Sequence, residues 1–228
     1  MPLKSRIRQF FNDIAPNYDR LNHIMSFGID RSWRRKAVRY IADSGKPLDV
    51  LDVACGTGDF AMAIARKLKS GSRVIGVDLS EKMLEYGRKK LPPVIQLEVG
   101  DAESLEFEDA SFDRVSVAFG VRNFEHLEQG LSEMHRVLRP GGKLVILELS
   151  YPDNLFLLGC YKLYALHFLP FIGGLLSGQK EAYAYLPKSI LAFPKEGLVV
   201  PMLHSAGFQY VEVYKFTFGA CVLYVAGK

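Results

Sequence analysis

Between residues 52 and 59 the chain reads Asp52-Val53-Ala54-Cys55-Gly56-Thr57-Gly58-Asp59. A carboxylate followed by two closely spaced glycines suits a strand that turns sharply into a helix and lets backbone N–H groups approach a ligand. Asp78 ends the next apolar run, where a carboxylate can accept both hydroxyls of an adenosine ribose. Gly56, Gly58 and Ala61 also satisfy the dinucleotide pattern G-x-G-x-x-A, and a tight turn that binds nothing would satisfy it too. Three further features narrow the choice. Asp52 would oppose a pyrophosphate but suits the cationic end of an amino-acid cofactor. Asp101, in Gly100-Asp101-Ala102, can accept a hydrogen bond from the exocyclic amine of adenine. Leu138-Arg139-Pro140-Gly141-Gly142-Lys143-Leu144 links a helical stretch to another apolar run.

The elements that must position these residues follow from hydropathy patterning. Residues 3–45 read as helices, with Trp33, Ala37, Tyr40 and Ile41 at helical spacing and Arg31, Arg35 and Arg39 on another face. Ser44-Gly45-Lys46-Pro47 stops that stretch. Short valine- and leucine-rich runs then alternate with helical stretches. Strands are expected at 48–54, 73–77, 94–99, 113–119 and 143–149. Helices are expected at about 57–68, at 80–91 with Ser80 as N-cap, and at 125–138, the last stopped by Pro140-Gly141-Gly142. Such alternation marks a parallel sheet with helices on both faces and right-handed crossovers.

Residues 151–195 break the alternation with an apolar, aromatic insertion. A helix over 196–206 and two strands at 210–218 and 220–226, closing through Gly219 as an antiparallel pair, complete the chain. The expected fold is α/β, a seven-stranded Rossmann-like sheet with a terminal antiparallel hairpin. The expected organisation is one domain over 1–228. It comprises an N-terminal helical cap (1–46), a cofactor-binding core (47–150), an apolar helical insertion before strand six (151–195), and a C-terminal helix and hairpin (196–228).

Composition removes other classes. With 228 residues, 49% hydrophobic and 24% charged, the chain is neither disordered nor a polytopic membrane protein. A net charge of +4, without long basic blocks, gives no reason to expect nucleic-acid binding. The three cysteines, Cys55, Cys160 and Cys221, are widely spaced and form no C-x-x-C, so neither a disulfide framework nor a zinc site is expected, and a reducing cytoplasm is the expected location. The five histidines show no metal-type pairing, so no metal is expected. MPLKSRIRQFF has basic residues but no apolar stretch after them and does not read as a signal peptide.

The motifs LDVACGTGD (51–59), GVDLSEKML (76–84), GDAESLEFEDASFD (100–113) and RVLRPGGKLVILE (136–148) resemble those of class I S-adenosylmethionine-dependent methyltransferases. FNDIAPNYDRLNHIMSFGIDRSW (11–33), FGVRN (119–123) and YAYLPKSILAFP (183–194) resemble the quinone-ring C-methyltransferases of menaquinone and ubiquinone synthesis. The resemblance implies S-adenosylmethionine as cofactor, held by Tyr18, Gly56, Thr57, Gly58, Asp78, Leu79, Asp101, Ala102 and Ala118. It implies a lipophilic quinol substrate bearing an isoprenoid tail. When a neighbouring hydroxyl loses its proton, a ring carbon becomes nucleophilic and attacks the sulfonium methyl, which needs alignment and phenolate stabilisation rather than a metal.

Arg122 and Asn123 follow strand four, at the sheet edge where ligands of open α/β folds bind. Arginine stays protonated, so Arg122 suits the phenolate and Asn123 a hydroxyl or water. Without the resemblance, Arg122 paired with an acid and Asn123 capping the next helix would be the favoured reading. Asp19, His23, His126 and Tyr183 are chemically suitable proton acceptors, and spacing does not choose among them; Asp19 is carried forward as the catalytic candidate.

Residues 155–176 approach the length of a membrane span, but Lys162, His167, Pro170 and Gly173-Gly174 oppose one. A helical cap or an apolar entrance for an isoprenoid tail is expected instead, with peripheral contact at the inner face of a membrane. The basic face of Arg31, Arg35 and Arg39 reads at least as well as a solvated helix face as it does as a source of weak attraction to anionic lipid. Naphthoquinol and benzoquinol substrates stay open, as does homo-oligomerisation. A nicotinamide-dependent oxidoreductase and a membrane-associated binding module without catalysis are the remaining readings. Asp52, Asp101-Ala102 and the hairpin oppose the first, and the intact set of site residues opposes the second.

Overall fold

A computed structural model describes residues 3–164 and 180–228. Helices α1 (Lys4–Ile14), α2 (Tyr18–Met25) and α3 (Ile29–Ile41) precede the sheet. Strand β1 (Asp49–Val53), α4 (Asp59–Ala65), β2 (Arg73–Asp78), α5 (Glu81–Lys90), β3 (Ile95–Val99), β4 (Phe112–Ala118), α6 (Leu127–Val137) and β5 (Leu138–Leu149) form the alternating region. Helices α7 (Leu155–Leu163), α8 (Lys180–Ala192) and α9 (Glu196–Ser205) lead to β6 (Tyr210–Phe216) and β7 (Cys221–Gly227). The sheet order is β3-β2-β1-β4-β5-β7-β6, parallel except for β7, which runs antiparallel to both neighbours. This is the seven-stranded sheet with a terminal hairpin that the patterning predicts.

Side chains alternate between two cores, as the two-residue period of a strand requires. Leu51, Val115, Leu144 and Tyr224 join α6 and α9 on one face. Val50, Val74, Val145 and Leu223 join α3 and α4 on the other. Strands buried on both faces read as continuous apolar runs, which is why β1, β4 and β5 stand out in the sequence.

Two boundaries differ from expectation. Helix α6 ends at Val137, before the Pro-Gly-Gly stop, and Leu138 already belongs to β5, paired with Phe112. The residue preceding a proline is pushed out of the helical region, so the chain extends before Pro140 is reached. The register shifts between Phe112 and Arg114, and the ladder resumes at Arg114↔Lys143, so residues 139–142 form an irregularity within the strand. The loop closing the hairpin is a 3₁₀ turn over Thr217–Gly219. The part of the apolar insertion at 165–179 lies outside the described residues. Among the described residues no helix is long and apolar enough to cross a membrane.

Trp33, Ala37, Val38 and Ile41 of α3 are buried in the second core, and Trp33 Nε1 donates to Thr217 Oγ1 at 2.9 Å, which fixes α3 to the hairpin turn. The segment before α3 buries Ile7 and Ala15, packs Phe10 on Tyr185, and is joined to the carboxyl edge of the sheet by polar ties. Lys90 Nζ donates to Asp19 Oδ2 (2.6 Å), Asp59 Oδ1 (2.6 Å) and Thr57 Oγ1 (3.0 Å), and the Thr57 hydroxyl donates to Asp19 Oδ1. Lys4 Nζ lies 2.6 Å from Asp101 Oδ2 and 2.9 Å from Glu103 Oε2. Ser80 Oγ donates to Asn12 Oδ1 at 2.7 Å. The N-terminal segment thereby roofs the edge where Gly56, Asp78 and Asp101 end their strands.

Candidate active site

Three spaces open beneath this roof, and Tyr18 lines all of them. A cleft of about 60 Å³ runs past Gly56, Asp78, Leu79, Asp101 and Ala102. A recess of about 20 Å³ continues along Asp52, Thr57, Arg34 and Ala118. A larger, apolar cavity of about 320 Å³ shares Phe11, Tyr18 and Phe119 with the cleft.

The glycine loop is built by backbone conformation. Gly56 and Gly58 sit at φ +58° and +81°, where L side chains are strained, and a Cβ on Gly58 would come 2.4 Å from Leu91 Cδ1. Gly56 lines the cleft and the recess, whereas Gly58 lines none of the three spaces and serves the turn. The Gly56 N–H donates to Asp78 Oδ2 and the Ser80 N–H to Asp78 Oδ1, both at 2.8 Å. Burial raises the Asp78 pKa against the pull of those two N–H groups. Each oxygen keeps a lone pair for a ribose hydroxyl.

Asp101 reaches the cleft already engaged, accepting from Lys4 Nζ and, through Oδ1, from the Glu103 N–H at 2.9 Å. Asp52 is 1% exposed. Its Oδ1 accepts from Ser116 Oγ at 2.7 Å, and its Oδ2 has no hydrogen-bond partner. Burial pushes its pKa up to about 7, against the opposing pull of Ser116 and Arg34. An unpartnered buried carboxylate oxygen in this recess fits the cationic end of S-adenosylmethionine, and Asp78 fits its ribose, so the residues present suit that cofactor.

Phe119 adopts φ +61°, which turns the chain into the short 3₁₀ segment Val121–Asn123 and buries Arg122. Arg122 Nη1 donates to Glu148 Oε1 at 2.8 Å and to the Phe119 carbonyl, while its Nε has no hydrogen-bond partner. Burial alone would lower the Arg122 pKa, but Glu148 and the surrounding tyrosines raise it overall. Arg122 is thus both paired with an acid and part of the wall of the apolar cavity, together with Phe10, Trp33, Tyr161 and Leu186. Asn123 lines the cofactor cleft and accepts from the Tyr185 hydroxyl at 2.8 Å. It does not cap α6, whose preceding N–H groups at Glu125 and His126 are bound by Glu103.

Asp19 sits in the tie that seats α2. Its carboxylate is held by Lys90 and Thr57 and lines neither the cleft nor the cavities, because the tie that seats α2 turns it toward α5. His23 is similarly occupied, with Nδ1 2.9 Å from Asp30 Oδ2 and Nε2 3.5 Å from Asp59 Oδ2. His126 is exposed beside Glu103. The Tyr183 side chain lies outside the described residues. The residues that sequence reasoning passed over are Arg34, Tyr161, Tyr185, Lys4 and Glu148. Arg34 had a signal: it falls on the same helical face as Ala37, Val38 and Ile41, where a charge is unexpected.

The fold is shared with solved methyltransferases of low sequence identity. A SAM-dependent methyltransferase of Thermotoga maritima superposes with a TM-score of 0.67 at 20% identity, covering 96% of this chain and 99% of its own. An S-adenosylmethionine-dependent methyltransferase of Mesorhizobium loti gives 0.60 at 21%, covering 85% and 96%. The sheet order and the glycine-loop site define a class I S-adenosylmethionine-dependent methyltransferase. Residues 3–228 match the ubiE/COQ5 methyltransferase family, and this chain belongs to it. A demethylmenaquinone methyltransferase of Bacteroides fragilis is 45% identical over 228 residues, covering 98% of this chain and 92% of its own. A ubiquinone/menaquinone biosynthesis C-methyltransferase UbiE of Geobacter sulfurreducens is 46% identical over 230 residues, covering 98% and 88%.

The Asp52 environment has a measurable consequence. A carboxyl whose folded pKa is about 7 holds its proton more tightly than the unfolded chain does, at about 3.9. The stabilisation is therefore fully present below about pH 4 and lost as pH rises through 7. Asp52→Asn is expected to stabilise the fold at pH 8, by up to about 4 kcal/mol, with no gain at pH 4. Thermal melts at both pH values check this, and an equal shift at both would refute it.

Proposed function

We propose that this chain methylates a ring carbon of a polyprenyl quinol, converting demethylmenaquinol to menaquinol. The observation that carries the reading is the apolar cavity of about 320 Å³ with a buried guanidinium in its wall, adjoining the cofactor cleft through the shared lining residues Phe11, Tyr18 and Phe119. Its size lies within the range of small-molecule sites, and its aromatic walls suit a ring and an isoprenoid chain. The benzoquinol reaction of ubiquinone synthesis is the second reading, favoured by the double name of the Geobacter sulfurreducens relative.

S-adenosylmethionine, when bound, supplies an electrophilic methyl group on a sulfonium. Gly56, Thr57, Asp78, Leu79, Asp101, Ala102 and Ala118 line the spaces that would hold it, Gly58 shapes their turn, and Tyr18 closes over them. Arg122 stabilises the ring oxygen as it ionises, because a fixed cation in a low-dielectric wall favours the charged form. Glu148 fixes the guanidinium, and Tyr185 fixes Asn123, which orients a hydroxyl at the boundary of the two spaces. Asp19 acts by seating the roof.

Phe27 is exposed and lines the cavity, and α7, which contributes Tyr161 to it, also carries the exposed side chains Leu155, Phe156 and Leu163. They suit peripheral contact with the cytoplasmic face of a bilayer, assisted by exposed Arg31, Arg35 and Arg39. Flotation with vesicles containing anionic lipid is expected to carry the protein, and Phe156→Glu to release it; a chain that stays at the bottom with every vesicle sinks this part of the reading.

The direct test is methyl transfer from labelled S-adenosylmethionine to reduced demethylmenaquinol in detergent, beside a benzoquinol analogue. Faster turnover of the naphthoquinol is expected, and no turnover of either despite cofactor binding would overturn the substrate assignment. Arg122→Gln, which keeps a partner for Glu148, is expected to lower kcat by about 10²–10³ while leaving cofactor affinity within about threefold.

A further inference from the structure

Arg34 is buried on the inner face of α3, at 8% exposure. Its Nη1 is paired with Asp30 Oδ2, its guanidinium carbon stands 5.0 Å from the centroid of the Phe119 ring, and its Nε has no hydrogen-bond partner. Across the same recess of about 20 Å³ stands Asp52, 1% exposed, with Oδ2 equally without a partner. Buried donors and acceptors left unpaired are costly, and native proteins keep few of them. Here one cationic donor and one anionic acceptor, both buried and both unmet, line a single small space. A group that satisfies both carries an anion and a cation a few ångströms apart, as the carboxylate and ammonium of an α-amino acid do.

The recess is continuous in its lining with the adenosine cleft, since Ala54, Gly56 and Tyr18 belong to both. A ligand whose ribose meets Asp78 therefore presents its other end to Arg34 and Asp52. We propose that Arg34 is a binding residue for the carboxylate of the cofactor's amino-acid end. This rests on S-adenosylmethionine being the cofactor. It gives α3 a second task besides packing, because the helix that anchors the cap to the core also carries a ligand-binding charge. It also accounts for a second buried charge, beside Asp30, on a face otherwise made of Trp33, Ala37, Val38 and Ile41.

The test compares ligands as well as variants, so that it does not depend on Arg34 being dispensable for folding. Binding of S-adenosylmethionine and of its decarboxylated analogue to the native chain is measured by calorimetry. The analogue is expected to bind about 10- to 100-fold more weakly, the loss of one buried charge-assisted contact. Arg34→Lys keeps a cation beside Asp30 but removes the guanidinium Nε. It is expected to weaken S-adenosylmethionine by a similar factor while leaving the analogue unchanged. Equal affinity of the native chain for both ligands would overturn the proposal alone. So would an Arg34→Lys variant that loses both ligands in the same proportion. A native chain that binds neither ligand would overturn the cofactor assignment and the proposal with it.

Discussion

The ammonium group of Lys90 touches three oxygens from three elements: Asp19 of α2, Asp59 at the start of α4 and Thr57 of the glycine loop. It stands in the last turn of α5, where the helix dipole favours a cation. Through it the N-terminal segment is seated on the carboxyl edge of the sheet, and only that seating turns an open edge into enclosed spaces. Tyr18, next to Asp19, lines all three of those spaces. The charged side chains of the tie, Lys90, Asp19 and Asp59, are each about a third exposed, so each ion pair is worth about 1 kcal/mol or less. At the far end of the segment Lys4 adds ties to Asp101 and to the buried Glu103, and Ile7 and Ala15 add apolar burial.

Beneath the roof, charge is distributed by function. The large cavity is aromatic and aliphatic, and Arg122 enters its wall with Glu148 behind it. Breaking such a buried pair costs about 3–5 kcal/mol, so the guanidinium is kept in one position. The recess beside Thr57 instead holds Asp52 and Arg34 with unmet hydrogen-bonding capacity. One space thus suits a neutral ring whose oxygen ionises during reaction, and the other suits a permanently charged zwitterion.

Much of this was legible in the sequence because parallel strands buried on both faces write themselves as apolar runs, and because the glycine loop and Asp78 are contiguous with those runs. Arg122 and Asn123 drew notice by their place after β4 together with the FGVRN resemblance, and the structure puts Arg122 in the wall of the large cavity and Asn123 in the cleft. What was not legible depends on long-range pairing. The Lys4–Asp101 and Lys90–Asp19 ties join residues far apart in the chain, so Asp19 read as a free carboxylate suited to catalysis. Arg34 was hidden in a helix whose visible periodicity was set by Trp33, Ala37 and Ile41. The Pro-Gly-Gly stop was placed correctly as a break but not as an irregularity within β5, since register is a property of two strands. Tyr185, inside a quoted motif, gained meaning only when α8 brought its hydroxyl to Asn123.

The central claim is that residues 4–25 close over both ligands. Hydrogen exchange of this segment, measured alone, with S-adenosylmethionine, with a quinol analogue and with both, tests it most directly. Stepwise protection of residues 4–25 by each ligand, lost in Lys90→Met, is the predicted result. Protection confined to the strand ends and loops of the sheet, with residues 4–25 exchanging at an unchanged rate, would contradict it.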